Sequence, residues 1–98
     1  MAEVVGSWRN AILQRDPEAV TRLDLTFREA PDRYTPALVE NATSDPEDRV
    51  RAFSTRVLGK LHRPALAEVF HKLLTDRSSH VRENAAWALG ELSPDRLR

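Results

Sequence analysis

Residues 76–92 read DRSSHVRENAAWALGEL, and residues 45–61 read DPEDRVRAFSTRVLGKL. Aligned at an offset of 31 residues, the two stretches share the pattern D-x4-V-R-x6-L-G-x-L. The matched pairs are Asp45/Asp76, Val50/Val81, Arg51/Arg82, Leu58/Leu89, Gly59/Gly90 and Leu61/Leu92. Self-similarity at a fixed period of this length is typical of proteins built from stacked structural units. The repeat therefore decides the expected fold.

The second unit predicts two helices joined by a polar turn. Pro64 suits the first turn of a helix, because an N–H at that position would have no partner within the helix. The apolar residues that follow it at helical spacing are Leu66, Val69, Phe70 and Leu73. Ser78 or Ser79 is expected to cap the next helix, which should end near Leu92, just before Pro94.

The first unit predicts the same arrangement. Pro36 is expected to open a short helix. Asp45 should then cap a second helix, with Pro46 in its first turn, and this helix should end near Leu61. Upstream of both units, Trp8 follows the helical spacing of an apolar stripe and is expected to be a core residue.

The whole chain is expected to form one domain, because 98 residues suffice for a single small core. About three stacked units are needed to bury a continuous core. The prediction is an all-α domain, a right-handed superhelical stack of about three helical pairs. Its expected parts within residues 1–98 are a divergent N-terminal cap unit (7–34), two repeats (36–62 and 64–93) and a tail (94–98).

The two quoted stretches resemble HEAT repeats, specifically the short subclass named after the phycobilisome lyases. The resemblance covers about residues 36–93 and implies an α-solenoid. It also implies that the turn aspartate and the helix arginine make polar links along the stack, and that the glycine permits close helix packing. The structural residues that it points to are Asp45, Asp76, Arg51, Arg82, Gly59 and Gly90. The first unit departs from the family pattern at residues 53–57, FSTRV, where small alanines are preferred, so looser packing is expected there.

Trp87 departs from the repeat, because its counterpart in the first unit is Arg56. The apolar arc of its helix consists of Val81, Ala85, Ala88, Leu89 and Leu92. Trp87 falls outside the centre of that arc, and arginine rarely occupies a buried site, which places this position of the repeat outside the core. Whether Trp87 is exposed or covered by the C-terminal tail stays open. The neighbouring row on the two second helices contains Arg49, Phe53, Arg56 and Lys60, followed by His80, Asn84, Trp87 and Glu91.

In a solenoid, equivalent rows on the second helices line one shared face, which commonly binds partners. A large aromatic side chain beside arginine is also typical of interaction hot spots. We therefore predict a non-catalytic protein-binding or scaffold module. Its predicted binding residues are Arg49, Phe53, Arg56, Lys60, Trp87 and Glu91. For Trp87 three alternatives stay open: a structural cover beneath the tail, self-association through an exposed C-terminal end, or contact with a different protein.

The chain is neutral overall, but its charge is unevenly distributed. Residues 1–49 have a net charge of −4, and residues 50–98 have a net charge of +4. The basic half supports an alternative function, DNA or tRNA binding with Trp87 as a stacking platform. The neutral total argues against it, because dedicated nucleic-acid binders are usually basic. A second alternative, an accessory subunit of a chromophore-attaching lyase, is implied only by the subclass name.

Catalysis and metal binding have no support in the sequence. Cysteine is absent, which excludes thiol chemistry and thiolate metal sites. The three histidines, His62, His71 and His80, are nine residues apart, unlike two ligands on one helical face. No nucleophile elbow, phosphate-binding glycine loop or HExxH motif occurs. We therefore expect no enzyme activity, cofactor or metal. With no long apolar stretch and no signal-peptide pattern, we expect no membrane partner and a cytoplasmic location.

Overall fold

The computed structural model describes residues 2–92, with side chains from residue 4 onward. Every regular element in this part of the chain is helical, which confirms the prediction of an all-α fold. The six α-helices are α1 (Ala2–Leu13), α2 (Pro17–Glu29), α3 (Pro31–Ser44), α4 (Asp48–Lys60), α5 (Ala67–Leu73) and α6 (Ser79–Leu92). A short 3-10 helix, Pro64–Leu66, leads directly into α5.

The helices pack in pairs. Helix α3 packs against α4, α5 packs against α6, and the two second helices α4 and α6 lie side by side in the most extensive helix contact of the described chain. Helices α1 and α2 pack against each other and against α3 and α4, at the N-terminal end of the stack. None of the helices between residues 2 and 92 combines the length and the apolarity that crossing a membrane would require.

The core begins at an aromatic cluster in the N-terminal part. Trp8 and Phe27 are fully buried and meet edge to face, with their ring centroids 5.3 Å apart. Tyr34 also packs against Phe27, with their ring centroids 5.1 Å apart. The structure thus places Trp8 in the core, as its helical spacing predicts. The core continues through the stack along fully buried residues that include Leu38, Val50, Leu58, Phe70 and Val81.

Two helix starts differ from the prediction. Helix α3 begins at Pro31, so Pro36 lies inside it rather than at its start. Pro31 occupies the first turn, where a proline is well tolerated, and this allows the helix to begin five residues earlier. Helix α4 begins at Asp48, after Pro46. The Asp45 carboxylate accepts a hydrogen bond from the Glu47 N–H at 2.9 Å, so it shapes the turn before the helix instead of capping the helix.

Each second helix carries an arginine that bonds to the polar turn before it, and one of these arginines also reaches the turn of the next unit. Arg51 donates to the Asp45 carbonyl oxygen at 2.8 Å and forms a two-bond ion pair with the Asp76 carboxylate of the next unit. Arg82 repeats the first of these bonds, donating to the Asp76 carbonyl oxygen at 2.8 Å. Among the described residues, Arg82 is bonded only within its own unit. The polar links implied by the resemblance are therefore present at Arg51, Asp45 and Asp76.

The arginine that links Asp45 to the preceding part of the stack is Arg9, which the sequence reasoning missed. Its Nε and Nη2 donate to the two Asp45 carboxylate oxygens at 2.7 and 3.2 Å. Arg9 stands 42 positions before Arg51 instead of 31, because α2 intervenes between α1 and α3. A signal was available in the sequence: Arg9 follows the buried Trp8 as Arg51 follows the buried Val50.

Candidate binding surface on the second helices

The row predicted on the second helices is brought together between α4 and α6. Residues at the 31-residue offset stand next to each other, because these two helices pack side by side. Arg49 and Phe53 of α4 face His80 and Asn84 of α6 across a groove of about 290 Å³, which Ala52 and Arg56 complete. We call this groove and the adjoining Trp87 the α4–α6 face; its residues are Arg49, Ala52, Phe53, Arg56, His80, Asn84 and Trp87.

Trp87 lies on the surface and is held there by packing against α4. Its side of α6 faces Gly59, where an added Cβ would lie 2.7 Å from Trp87 Cζ3 and 2.9 Å from Ala88 Cβ. The glycine thus leaves the space in which the indole rests. Arg56 lies over the same ring, with its Cζ 5.9 Å from the ring centroid, within the range of a cation–π contact. Trp87 nevertheless remains 39% exposed.

The face carries two of the exposed large hydrophobic residues of the described chain. Three large hydrophobic residues between residues 4 and 92 are exposed, namely Phe53 (38%), Trp87 (39%) and Leu25 (52%). Phe53 and Trp87 both belong to the α4–α6 face, whereas Leu25 lies on α2. Large aromatic side chains beside arginine are the residues that contribute most to protein interfaces.

A second groove, which the sequence did not predict, adjoins the first. It has a volume of about 380 Å³ and lies between the turn that joins α1 to α2 and the start of α4. Arg49 and Phe53 line both grooves, and the Arg49 Nη2 donates to the Ile12 carbonyl oxygen at 3.2 Å. The packing of α2 on α4 creates this groove, and that contact is outside the repeat pattern.

Two predicted binding residues are engaged in internal contacts. The Lys60 ammonium pairs with the Asp24 carboxylate of α2 at 3.2 Å. The Glu91 carboxylate lies 3.1 Å from His62 Nε2, and its side chain is largely buried. The first contact joins α4 to α2, and the second joins the turn after α4 to α6. Because both side chains are engaged within the chain, we leave Lys60 and Glu91 out of the α4–α6 face.

The two turn aspartates have lowered pKa values. Burial by itself would raise the pKa of Asp45, but the hydrogen bonds from Arg9 and the Glu47 N–H, and the positive charges of Arg9 and Arg51, lower it below its usual value of 3.8. At Asp76 burial is likewise outweighed, by bonds from Arg51 and the Ser78 N–H and by nearby arginine charges, so its pKa is also lowered. Both carboxylates are therefore ionised at neutral pH and act as structural anions.

The two glycines of the repeat differ in their surroundings. The close contact at Gly59 agrees with the packing role implied by the resemblance. At Gly90, an added Cβ would meet no heavy atom of the described residues within 4 Å. The expectation of close packing at Gly90 is therefore corrected, because no neighbouring helix follows α6 within the described part of the chain.

No group of three or more histidine, aspartate and glutamate side chains in the described part of the chain is arranged to hold a metal ion. His80 lines the groove between α4 and α6, and its backbone carbonyl accepts a hydrogen bond from the Asn84 side chain. The arrangement of the face suits contact with another molecule, because it combines two exposed aromatic side chains, two arginines and an open groove.

Comparison with known proteins agrees with this architecture. The family model of HEAT repeats matches residues 35–97, about two thirds of the chain. The chain therefore belongs to the HEAT-repeat family. Members of this family generally mediate protein–protein interaction and scaffolding, and they are usually not catalytic. The comparison found no match among curated proteins or solved structures. The phycobilisome-lyase-like subclass stays a prediction.

Proposed function

We propose that this protein is a non-catalytic protein-binding module and that the α4–α6 face is its binding surface. The observation that carries the proposal is the contact between Arg56 and Trp87. Both side chains are exposed, so an indole and a guanidinium stand together beside an open groove. Both residues occupy equivalent positions of consecutive repeats, so the helical stack itself presents them on one face.

The energetics of the face favour a protein partner. Burying the exposed parts of Phe53 and Trp87 would remove apolar surface from water at about 25 cal/mol per Å². The Arg56 guanidinium adds directional hydrogen bonds at the edge of the same surface. Because the side of Trp87 that faces Gly59 is already packed, the binding of a partner would require little further ordering of the indole ring. The partner is a different protein or a second copy of this chain.

Nucleic-acid binding is the competing function. Arg49, Arg56 and His80 around Trp87 could contact phosphates while the indole stacks on a base. The neutral chain and the apolar lining of the second groove favour a protein instead. Two further alternatives are an accessory lyase subunit and a self-associating scaffold. The molecular mass in solution decides whether the protein associates with itself.

The test is capture of partners from the native cell by immobilised protein, combined with light scattering. The variants Trp87→Ala and Arg56→Glu should each abolish capture, or reduce the mass if the partner is a second copy. Arg33→Glu, an equal charge reversal at an exposed position of α3, is the matched control and should bind normally. Capture that survives both face variants, with their helicity intact, would exclude this face as the binding surface.

A further inference from the structure

The two grooves beside α4 form one continuous surface that combines apolar side chains with arginines. They meet at Arg49 and Phe53, which line both of them. Phe53 is 38% exposed, so its ring stands at the boundary and is available to a ligand that crosses from one groove to the other. A partner segment that follows this path would contact α1, α2, α4 and α6.

The groove beside α1 and α2 is suited to an apolar side chain. Most of its lining is apolar, and this part consists of Ala11, Ile12, Pro17, Val20 and Phe53. Its single acidic residue is Asp16, whose carboxylate accepts the Ala19 N–H at the start of α2. Asp16 is thus engaged as a helix cap. An aliphatic or aromatic side chain of a partner would be desolvated here mainly against apolar residues.

The groove between α4 and α6 is suited to carboxylates. Arg49, Arg56 and His80 line it, and none of its lining residues is acidic. Arg15 adds a further cation at the neighbouring groove. None of these three arginines forms an ion pair with a described residue, whereas the arginines that link the turns of the stack do. A carboxylate placed between Arg49 and Arg56 would form charge-assisted hydrogen bonds with guanidinium groups that no acidic side chain of the described chain occupies.

We propose that the ligand of this surface is a segment of a partner protein that carries an apolar side chain next to acidic residues. The apolar side chain enters the groove beside α1 and α2, and the acidic residues face Arg49, Arg56 and His80. This inference rests on the proposed function and specifies its partner by chemistry. A nucleic acid could satisfy the arginines but would leave the apolar groove without a matching group, so a peptide segment is favoured.

The experiment measures the fluorescence anisotropy of labelled peptides of equal length. One peptide has a leucine followed by glutamates; in two matched peptides, serine replaces the leucine or lysines replace the glutamates. A single-stranded oligothymidylate is the fourth probe. The leucine–glutamate peptide should bind most tightly, the serine peptide at least about tenfold more weakly, and the lysine peptide not at all. The affinity of the leucine–glutamate peptide should fall as the salt concentration rises, because exposed charges are screened.

Protein variants locate the site of binding. Arg56→Glu and Arg49→Gln should each lower the affinity for the leucine–glutamate peptide at least about tenfold, and Arg33→Glu should leave that affinity unchanged. Equal binding of the three peptides, or tighter binding of the oligothymidylate, would overturn the inference. If no peptide binds but Trp87→Ala still abolishes capture of the native partner, the inference is wrong and the proposed function stands. If capture is also unaffected, both are wrong.

Discussion

Arg51 joins two consecutive turns of the stack through one side chain. Its Nη1 donates to the Asp45 carbonyl oxygen, while its Nε and Nη2 each lie 3.1 Å from a carboxylate oxygen of Asp76. The Arg51 side chain is 5% exposed and that of Asp76 is 11% exposed. A buried charge without its partner is strongly unfavourable, so this pair fixes the position of α6 relative to α4. The α4–α6 face depends on that position.

Loss of this arginine should therefore destabilise the domain. We expect Arg51→Met, which keeps most of the apolar stem, to lower the free energy of unfolding by about 3 kcal/mol, because the largely buried Asp76 carboxylate loses both guanidinium bonds and keeps only the hydrogen bond from the Ser78 N–H. The matched control is Arg63→Met, which removes the exposed pair with Asp32 and should cost less than about 1 kcal/mol. Urea denaturation of both variants checks the prediction. Equal losses would show that the buried link has no special role.

Acid should weaken the same links. Because the pKa values of Asp45 and Asp76 are lowered in the folded state, folding is favoured by their ionisation above the usual aspartate pKa of 3.8. That contribution is lost as the pH falls below about 4 and through the folded-state values. Asp76→Asn should reduce stability at neutral pH and flatten the decline in acid, as followed by circular dichroism. Asp32→Asn, which alters an exposed pair, is the control; an unchanged acid decline in Asp76→Asn would contradict the prediction.

The two repeat glycines should respond in opposite directions to the same substitution. Gly59→Ala gains helix propensity, about 1 kcal/mol, but places a Cβ 2.9 Å from Ala88 Cβ and close to Trp87. Such overpacking costs up to about 3 kcal/mol, so a net loss of about 1 kcal/mol is expected. In Gly90→Ala the added Cβ would have no described heavy atom within 4 Å, so the free energy of unfolding should rise by about 0.5 kcal/mol. Thermal unfolding of both variants checks this; stabilisation by Gly59→Ala would show that α4 and α6 separate easily.

Much of the fold could be predicted from the sequence, because its determinants are local and recur at a fixed interval. The 31-residue period predicts that α4 and α6 are equivalent helices, and their side-by-side packing then brings Arg56 next to Trp87. The period also pairs Asp45 with Asp76 and Arg51 with Arg82, whereas the expectation of polar links between them came from the resemblance to HEAT repeats. At Gly59 and Gly90 the sequence is the same, but the neighbours differ, so the period alone could not distinguish them.

The N-terminal part could be predicted less well, because its contacts do not follow the period. Because the extra helix α2 intervenes, Arg9 lies 42 positions before its counterpart Arg51 rather than 31. The groove beside α1 and α2 depends on how these two helices pack against α4. Lys60 was predicted as a binding residue, and its ion pair with Asp24 is a contact of the same kind. The start of α4 was also misplaced, since the bonds from Arg9 and from the Glu47 N–H keep the Asp45 side chain in the turn. Periodicity reports which residues are equivalent, but it does not report contacts made outside the repeat.

The most direct test of the proposed binding surface is photo-crosslinking from single positions. p-Benzoylphenylalanine in place of Phe53 keeps an aromatic ring on the α4–α6 face, and the same residue in place of His71 labels the exposed side of α5 as a matched control. After irradiation in the native cell, position 53 should form a crosslink to a partner protein or to a second copy, and position 71 should form none. A crosslink from position 71 alone, or none from either position when a partner is bound, would contradict the proposed surface.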